Sequence, residues 1–278
     1  MKLYRTKTGI LIENDGLFFL LEGEDWDFFI DDDNVYHKGL DRIRFMKPID
    51  AGRSIIASES EAPIRSQELW AAGVTYLRSK VGRQEESKNA GGGDFYARVY
   101  EAERPELFFK GTVHRIVGPG KRLKIRRDST WNVPEPELTL MITSHGKIVG
   151  YTIGNDMSSR SIEGENPLYL PQAKTYDGCA SLGPCIYVSE KPLPKETVIQ
   201  IEILRRETKI FEGTVEISQM KRTPEELVSF LYRECSFPNG SLLMTGTGIV
   251  PPGDINLQRG DTIRITIEPI GTLENGVE

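Results

Sequence analysis

No apolar run in this chain approaches the roughly 20 residues that a membrane-spanning helix needs. Its opening "MKLYRTKTGI" also lacks the apolar segment of a secretory signal. A cytoplasmic location is the expectation. Cysteine is scarce as well: Cys179, Cys185 and Cys235 are too few and too scattered for a disulfide framework and form no C-x-x-C metal pair, so they are expected to be buried small hydrophobes. Positive charge is not in surplus either. A formal net charge of -6 argues against nucleic acid or an anionic membrane as partner, because both call for a basic surface. A small molecule is the expected partner. Internal repeats and low-complexity segments are absent. The three glycines of "GGGDF" (91–95) lack a preceding apolar strand and the G-x-G-x-x-G spacing, so they read as a loop and not as a phosphate cradle.

What is present is an ordinary globular composition, with 38% hydrophobic and 27% charged residues. Its 278 residues suit one large domain or two unequal ones. "KLYRTKTGILIENDGLFFLLE" alternates apolar and polar residues around Asn-Asp-Gly, as two strands of a hairpin do. Ser, Glu and Pro content with the break at Pro63 places a junction near residues 57–66, dividing the chain into a small β-rich domain, 1–65, and a larger one, 66–278. Asp94 is placed as the cap of a short helix over Phe95 to Glu101. In "TPEELVSFLYREC" (223–235), Thr223 reads as N-cap, Pro224 as the first helical residue and Glu226 as the partner in a capping box. Strands are expected over residues 136–143, 148–155, 184–189, 197–204 and 262–268. The fold class is therefore α+β, dominated by β structure.

The chemistry is carried by "WNVPEPELTLMITSHGKIVGYTIGNDMSSR" (131–160). Residues two apart in a strand share a face, so Glu135 and Glu137 project together while Leu138, Leu140 and Ile142 point the other way. A tight turn pairing Ser144 with Lys147, with His145 and Gly146 at its tip, brings Glu135 opposite Asp156 and Glu137 opposite Gly154. Three carboxylates so close repel one another, and a divalent cation removes the conflict. Oxygen ligands favour Mg²⁺, or Ca²⁺ and Mn²⁺, over zinc. Gly154 is expected to leave room beside the ion. Periodicity leaves a second reading open, in which the two glutamates lie on the wet face of an edge strand.

"PEPELTLMI", "GYTIGNDMSSRS", "QAKTYDGCASLGP", "LLMTGTGIV" and "LQRGDTIRITIEPIGTLENGV", in this order, resemble the motifs of the fumarylacetoacetate hydrolase family over roughly residues 66–278. The resemblance implies a mixed β-sandwich roll. It implies Glu135, Glu137 and Asp156 as metal ligands, Lys174 as the active-site lysine, and Arg160 and Thr247 as contacts of the substrate carboxylate and hydroxyls. "RPELFFK" also resembles the family and places Glu106 and Lys110 near the site; Tyr76 and Lys110 are expected to line the pocket. Asp177 is either a turn residue or a support.

A departure from the family pattern is informative. The G-x-N-Y-x-x-H segment, whose histidine activates water in the hydrolases, stands here as "GVTYLRS", with Thr75 and Ser79 for Asn and His. Ser161 replaces the Asp that commonly follows the arginine. His37, His114 and His145 are the chain's histidines, and His145 reads as a turn residue. "GVTYLRS" and "NDMSSRSIEGENPLYLPQAKTYDG" look most like the branch that dehydrates 2-keto-3-deoxy sugar acids, such as 2-keto-3-deoxy-D-arabinonate to 2,5-dioxopentanoate. Dehydration takes a proton from C3 and expels the C4 hydroxyl, with no attacking water. Lys174 is the first candidate base, since an amine beside a cation and out of water gives up its proton readily; Glu106 is the other. A C–C hydrolase or decarboxylase of acylpyruvates or β-diketo acids and a noncatalytic protein that keeps its ion for folding are the competing classes. The family's habit implies a homodimer or homotetramer.

Overall fold

The computed structural model describes residues 1–86 and 93–278. The chain opens with β1 (Lys2–Arg5), β2 (Gly9–Asn14) and β3 (Leu17–Glu22), then three helices, α1 (Trp26–Ile30), α2 (Val35–Ile43) and α3 (Gly52–Glu59). The β2–β3 turn is the expected one: Asp15 and Gly16 take φ of 51° and 78°, and Asn14 pairs with Leu17, the geometry that matches strand twist. The segment read as two strands holds three. Thr6 N–H donates to Gly9 O at 2.9 Å, making a second tight turn inside the alternating stretch. Helices α1 to α3 were not anticipated, since runs of 5, 9 and 8 residues are shorter than the window over which helical periodicity is read.

The chain continues through β4 (Glu68–Gly73), α4 (Leu77–Glu86), α5 (Gly93–Glu101), β5 (Glu106–Gly111), β6 (Ile116–Val117), β7 (Arg122–Leu123) and β8 (Asn132–Val133). Gly91 and Gly92 of the expected loop lie outside the described residues, and α5 begins before Asp94. Next come β9 (Pro136–Ile142), β10 (Ile148–Asp156), β11 (Ser158–Ser159), α6 (Arg160–Glu165), α7 (Leu170–Lys174) and β12 (Ala180–Tyr187). The last part is β13 (Val198–Arg205), β14 (Thr208–Glu216), α8 (Pro224–Leu231), β15 (Ser241–Met244), β16 (Thr262–Ile267) and β17 (Gly271–Val277). Thr223 caps α8 as expected, its Oγ1 accepting from Glu226 N–H at 3.1 Å. The capping box does not close, because the Glu226 carboxylate takes Arg222 Nη1 at 2.6 Å.

The larger sheet runs β3-β2-β1-β12-β10-β9-β15-β4-β5, with β6 on β12, and a second runs β14-β13-β16-β17-β7. Alternation sorts the faces. Leu138, Leu140 and Ile142 of β9 join Ile199, Ile201, Ile203, Ile263 and Ile265 in the core between the sheets. Met141 joins Leu3, Ile10 and Met244 in a second core on the other face. Burial of apolar surface on both sides holds the sandwich together, and the architecture is the β-dominated α+β type.

Strand β9 lies between β10 and β15 and is buried along its whole length, which rules out a wet edge. Its hairpin reaches the expected register by an unexpected route. Thr143 N–H donates to Lys147 O at 2.9 Å and Gly146 takes φ of 79°, so the turn has three residues, not two. A bulge between Ile148 and Gly150 then offsets the difference, and Glu137 faces Gly154. His145 sits exposed in the turn, as expected.

Candidate metal centre and active site

The ladder between β9 and β10 extends past Pro136, where Asp156 N–H donates to Glu135 O at 2.9 Å. That pairing sets Glu135, Glu137 and Asp156 together at one end of the hairpin. All three are buried, and one carboxylate oxygen from each lies within 4.8 Å of the others. Asn155, adjacent in the "GND" motif, fixes the approach by accepting Glu135 N–H on Oδ1 at 3.2 Å.

Positive groups surround the carboxylates. Arg160, the first residue of α6, donates from Nη2 to Glu135 Oε1 at 2.6 Å. Lys174, at the end of α7, reaches Glu135 Oε2 and also Asp156 Oδ2, the latter at 3.0 Å. Lys110 on β5 pairs with Asp156 Oδ1 at 2.6 Å. Glu137 accepts the backbone N–H of Gly246 at 2.5 Å on Oε2. Burial, and then the charges of Asp156 and Glu135, push the Glu137 carboxyl well above the usual range, while Lys174 and the Gly246 amide oppose the rise. A hard divalent ion among these oxygens would remove that penalty, so the donor set fits Mg²⁺ in its chemistry and its spacing.

The remaining predicted residues divide. Glu106, Phe108 and Lys110 alternate onto one face of β5, and that face meets α7: Lys174 Nζ lies 5.7 Å from the Phe108 ring centroid. Glu106 is half-buried, and its carboxylate packs so closely on Gly73 that a Cβ there would fall 2.0 Å from Oε2. Tyr76 is 1% exposed, and its hydroxyl has no hydrogen-bond partner among the described residues. Burial and the neighbouring Glu137 charge raise its pKa. Thr247 is buried with its hydroxyl bonded to both N–H and C=O of Ile249 at 3.2 Å, so the side chain shapes its own loop. Lys110, expected to line the pocket, faces Asp156 and two backbone carbonyls instead.

The substituted positions have structural work. Ser79 Oγ donates to Tyr76 O at 2.8 Å and accepts Tyr76 N–H at 3.2 Å, at the entry to α4. Thr75 Oγ1 donates to Thr245 O at 2.7 Å. Ser161 lies within 2.9 Å of Ser129 Oγ and accepts Thr130 N–H at 3.1 Å. Two expectations need correction. The space beside Gly154 is filled, since a Cβ there would meet Thr139 Oγ1 at 2.4 Å and Met244 Cε at 2.7 Å. Cys179 and Cys185 are buried, but Cys235 is exposed, because α8 ends at Leu231 before reaching it. Gly246 was missed as a site residue: "TGTG" shows a turn, but only the fold shows which amide meets Glu137.

Several known proteins resemble this chain. The model of the fumarylacetoacetate (FAA) hydrolase C-terminal family matches residues 78–278. A probable 2-keto-3-deoxyxylonate dehydratase of Haloferax volcanii is 48% identical over 225 residues, covering 81% of this chain and 76% of that protein. A 2-dehydro-3-deoxy-D-arabinonate dehydratase of Saccharolobus solfataricus is 44% identical over 213 residues, 76% of this chain and 72% of the relative. Among solved structures, 2-keto-3-deoxy-D-arabinonate dehydratase complexed with magnesium and 2,5-dioxopentanoate superposes with a TM-score of 0.84 at 35% identity, covering 100% of this chain and 99% of the other.

Proposed function

The chain belongs to the fumarylacetoacetate hydrolase family, and from that membership we propose that it is a Mg²⁺-dependent dehydratase converting 2-keto-3-deoxy-D-arabinonate to 2,5-dioxopentanoate and water. The observation that carries the reading is the buried triad of Glu135, Glu137 and Asp156 with the Lys174 ammonium on two of its members. Relatives named for this reaction support it.

Bound to the triad, Mg²⁺ would polarise the 2-keto group and stabilise the charge that loss of the C3 proton places on its oxygen. Glu106, or Lys174 once it has given up its own proton, takes that proton, and the C4 hydroxyl leaves with a proton as water. The elimination leaves a C3=C4 double bond. A proton shift from C5 to C3 then gives an enol at C4 and C5, which becomes the C5 aldehyde. Arg160 and Thr247 hold the substrate carboxylate and hydroxyls, and Tyr76 closes the pocket beside Glu137. The C–C hydrolase alternative requires a base for water at a position where this chain has Ser79, whose hydroxyl is engaged with Tyr76.

The same reading takes residues 1–65 as a small unit beside a catalytic domain, 66–278, in a cytoplasmic homodimer or homotetramer. Among the described residues no helix is long and apolar enough to cross a membrane. Incubation with 2-keto-3-deoxy-D-arabinonate should yield 2,5-dioxopentanoate with Mg²⁺ and none after chelation. Pyruvate release from an acylpyruvate, with the sugar acid untouched, would overturn the dehydratase in favour of the hydrolase.

A further inference from the structure

We infer that Lys110 is a positioning residue, which holds Asp156 and the end of α7 in place and does not touch substrate. The inference rests on the dehydratase reading for its substrate but not for its geometry. Lys110 is 0% exposed. An ammonium has three N–H donors and no acceptor, and three oxygens surround this one: Asp156 Oδ1 at 2.6 Å, Met157 O at 3.0 Å and Lys174 O. Two of its donors go to backbone carbonyls, and Asp156 Oδ1 is held as an ion pair at 2.6 Å, so the fully buried ammonium is committed to these three oxygens.

The three acceptors explain what the contact does. Asp156 ends β10 and Met157 follows it, while Lys174 O is the last carbonyl of α7, so one ammonium fastens the two segments that carry a metal ligand and a proposed base. Helix α7 has five residues, far below the length at which a helix supports itself. Its final carbonyl also carries the negative end of the helix dipole, which a cation stabilises. At Asp156, Lys110 lies against Oδ1, and Oδ2 accepts from Lys174 Nζ at 3.0 Å. The carboxylate is thereby held to present one oxygen to a cation. A lysine suits the position because its compact charge serves three divergent acceptors, whereas a guanidinium directs its donors in a plane.

The test measures Mn²⁺ dissociation constants by calorimetry, with kcat and KM for 2-keto-3-deoxy-D-arabinonate, in Lys110→Met and Lys110→Arg. Loss of a group that orients a metal ligand weakens metal binding about 10- to 100-fold. The expected result in both variants is Mn²⁺ affinity lowered about tenfold or more, kcat lowered, and KM within about threefold of the parent value. A KM raised about tenfold or more with Mn²⁺ affinity and kcat unchanged would overturn the inference and make Lys110 a substrate contact. Should Lys110→Met fail to fold, Asp156→Asn with and without Lys110→Met decides, since the double variant leaves no unpaired buried charge at this contact. If Lys110 acts through Asp156, the second substitution costs no more than about twofold further in Mn²⁺ affinity; a further loss of tenfold or so overturns the idea. A parent protein inactive on the sugar acid, with the Mn²⁺ effect intact, sinks the dehydratase reading and supports the role of Lys110.

Discussion

The backbone N–H of Gly246 donates to Glu137 Oε2 at 2.5 Å, tying the loop after β15 to a proposed metal ligand on the neighbouring strand. Gly246 takes φ of 93°, and a Cβ there would meet Thr75 Oγ1 at 2.0 Å and Ala72 O at 3.0 Å. Gly246→Ala must therefore shift the loop and its amide. A hydrogen bond to a charged group contributes about 1.5–3 kcal/mol, so Mn²⁺ affinity should fall about tenfold or more by calorimetric titration. Unchanged affinity would mean that this amide does not orient Glu137.

Glu135→Gln removes a proposed ligand and also the counter-charge of Arg160 and Lys174. Turnover should drop on the order of a hundredfold or more, since chelation of the 2-keto acid depends on the cation. Breaking a buried pair from one side costs about 3 kcal/mol, seen as a lower Tm with the β-sheet circular dichroism retained. Activity close to that of the parent would remove Glu135 from the ligand set.

Gly73→Ala tests Glu106 without altering it. The new methyl would fall 2.0 Å from Glu106 Oε2, so the carboxylate must move. If Glu106 is the base, kcat should fall about tenfold or more through misplacement alone, with Mn²⁺ affinity unchanged. A parental kcat in a folded variant leaves Lys174 as the base.

Thiol reactivity checks the cysteine assignments. Burial pushes the Cys185 thiol up to about 12, and Cys179 is also buried, whereas Cys235 is exposed. The reactive species is the thiolate, and it must be accessible. At neutral pH a chromogenic disulfide should titrate one thiol per native chain and three after denaturation. Two or more in the native state would show that the region around Cys179 or Cys185 opens.

How far the sequence could be read is clearest in the hairpin of β9 and β10. Alternation alone places Glu135 and Glu137 on one face, because strand geometry forces a period of two. The register with Asp156 also came out as read, although the turn did not. A three-residue turn at Ser144 to Gly146 and a bulge after Ile148 cancel, and neither departure has a signature in "SHGKIVG" strong enough to separate them. Lys174 and Arg160 were legible only through resemblance, since no spacing rule links residues of separate helices to a strand.

The amino-acid order by itself determines local periodicity: which residues share a strand face, where Asp15-Gly16 turns, and that Thr223 starts a helix. These follow from contacts a few residues apart. Only the tertiary structure decides that β9 is central and not an edge, that its acids are therefore dry, and that Lys110, Lys174 and the Gly246 amide converge on them. The reason is physical. Burial and charge pairing depend on which strands become neighbours, and that choice is made by the apolar faces of the whole chain, not by any one segment.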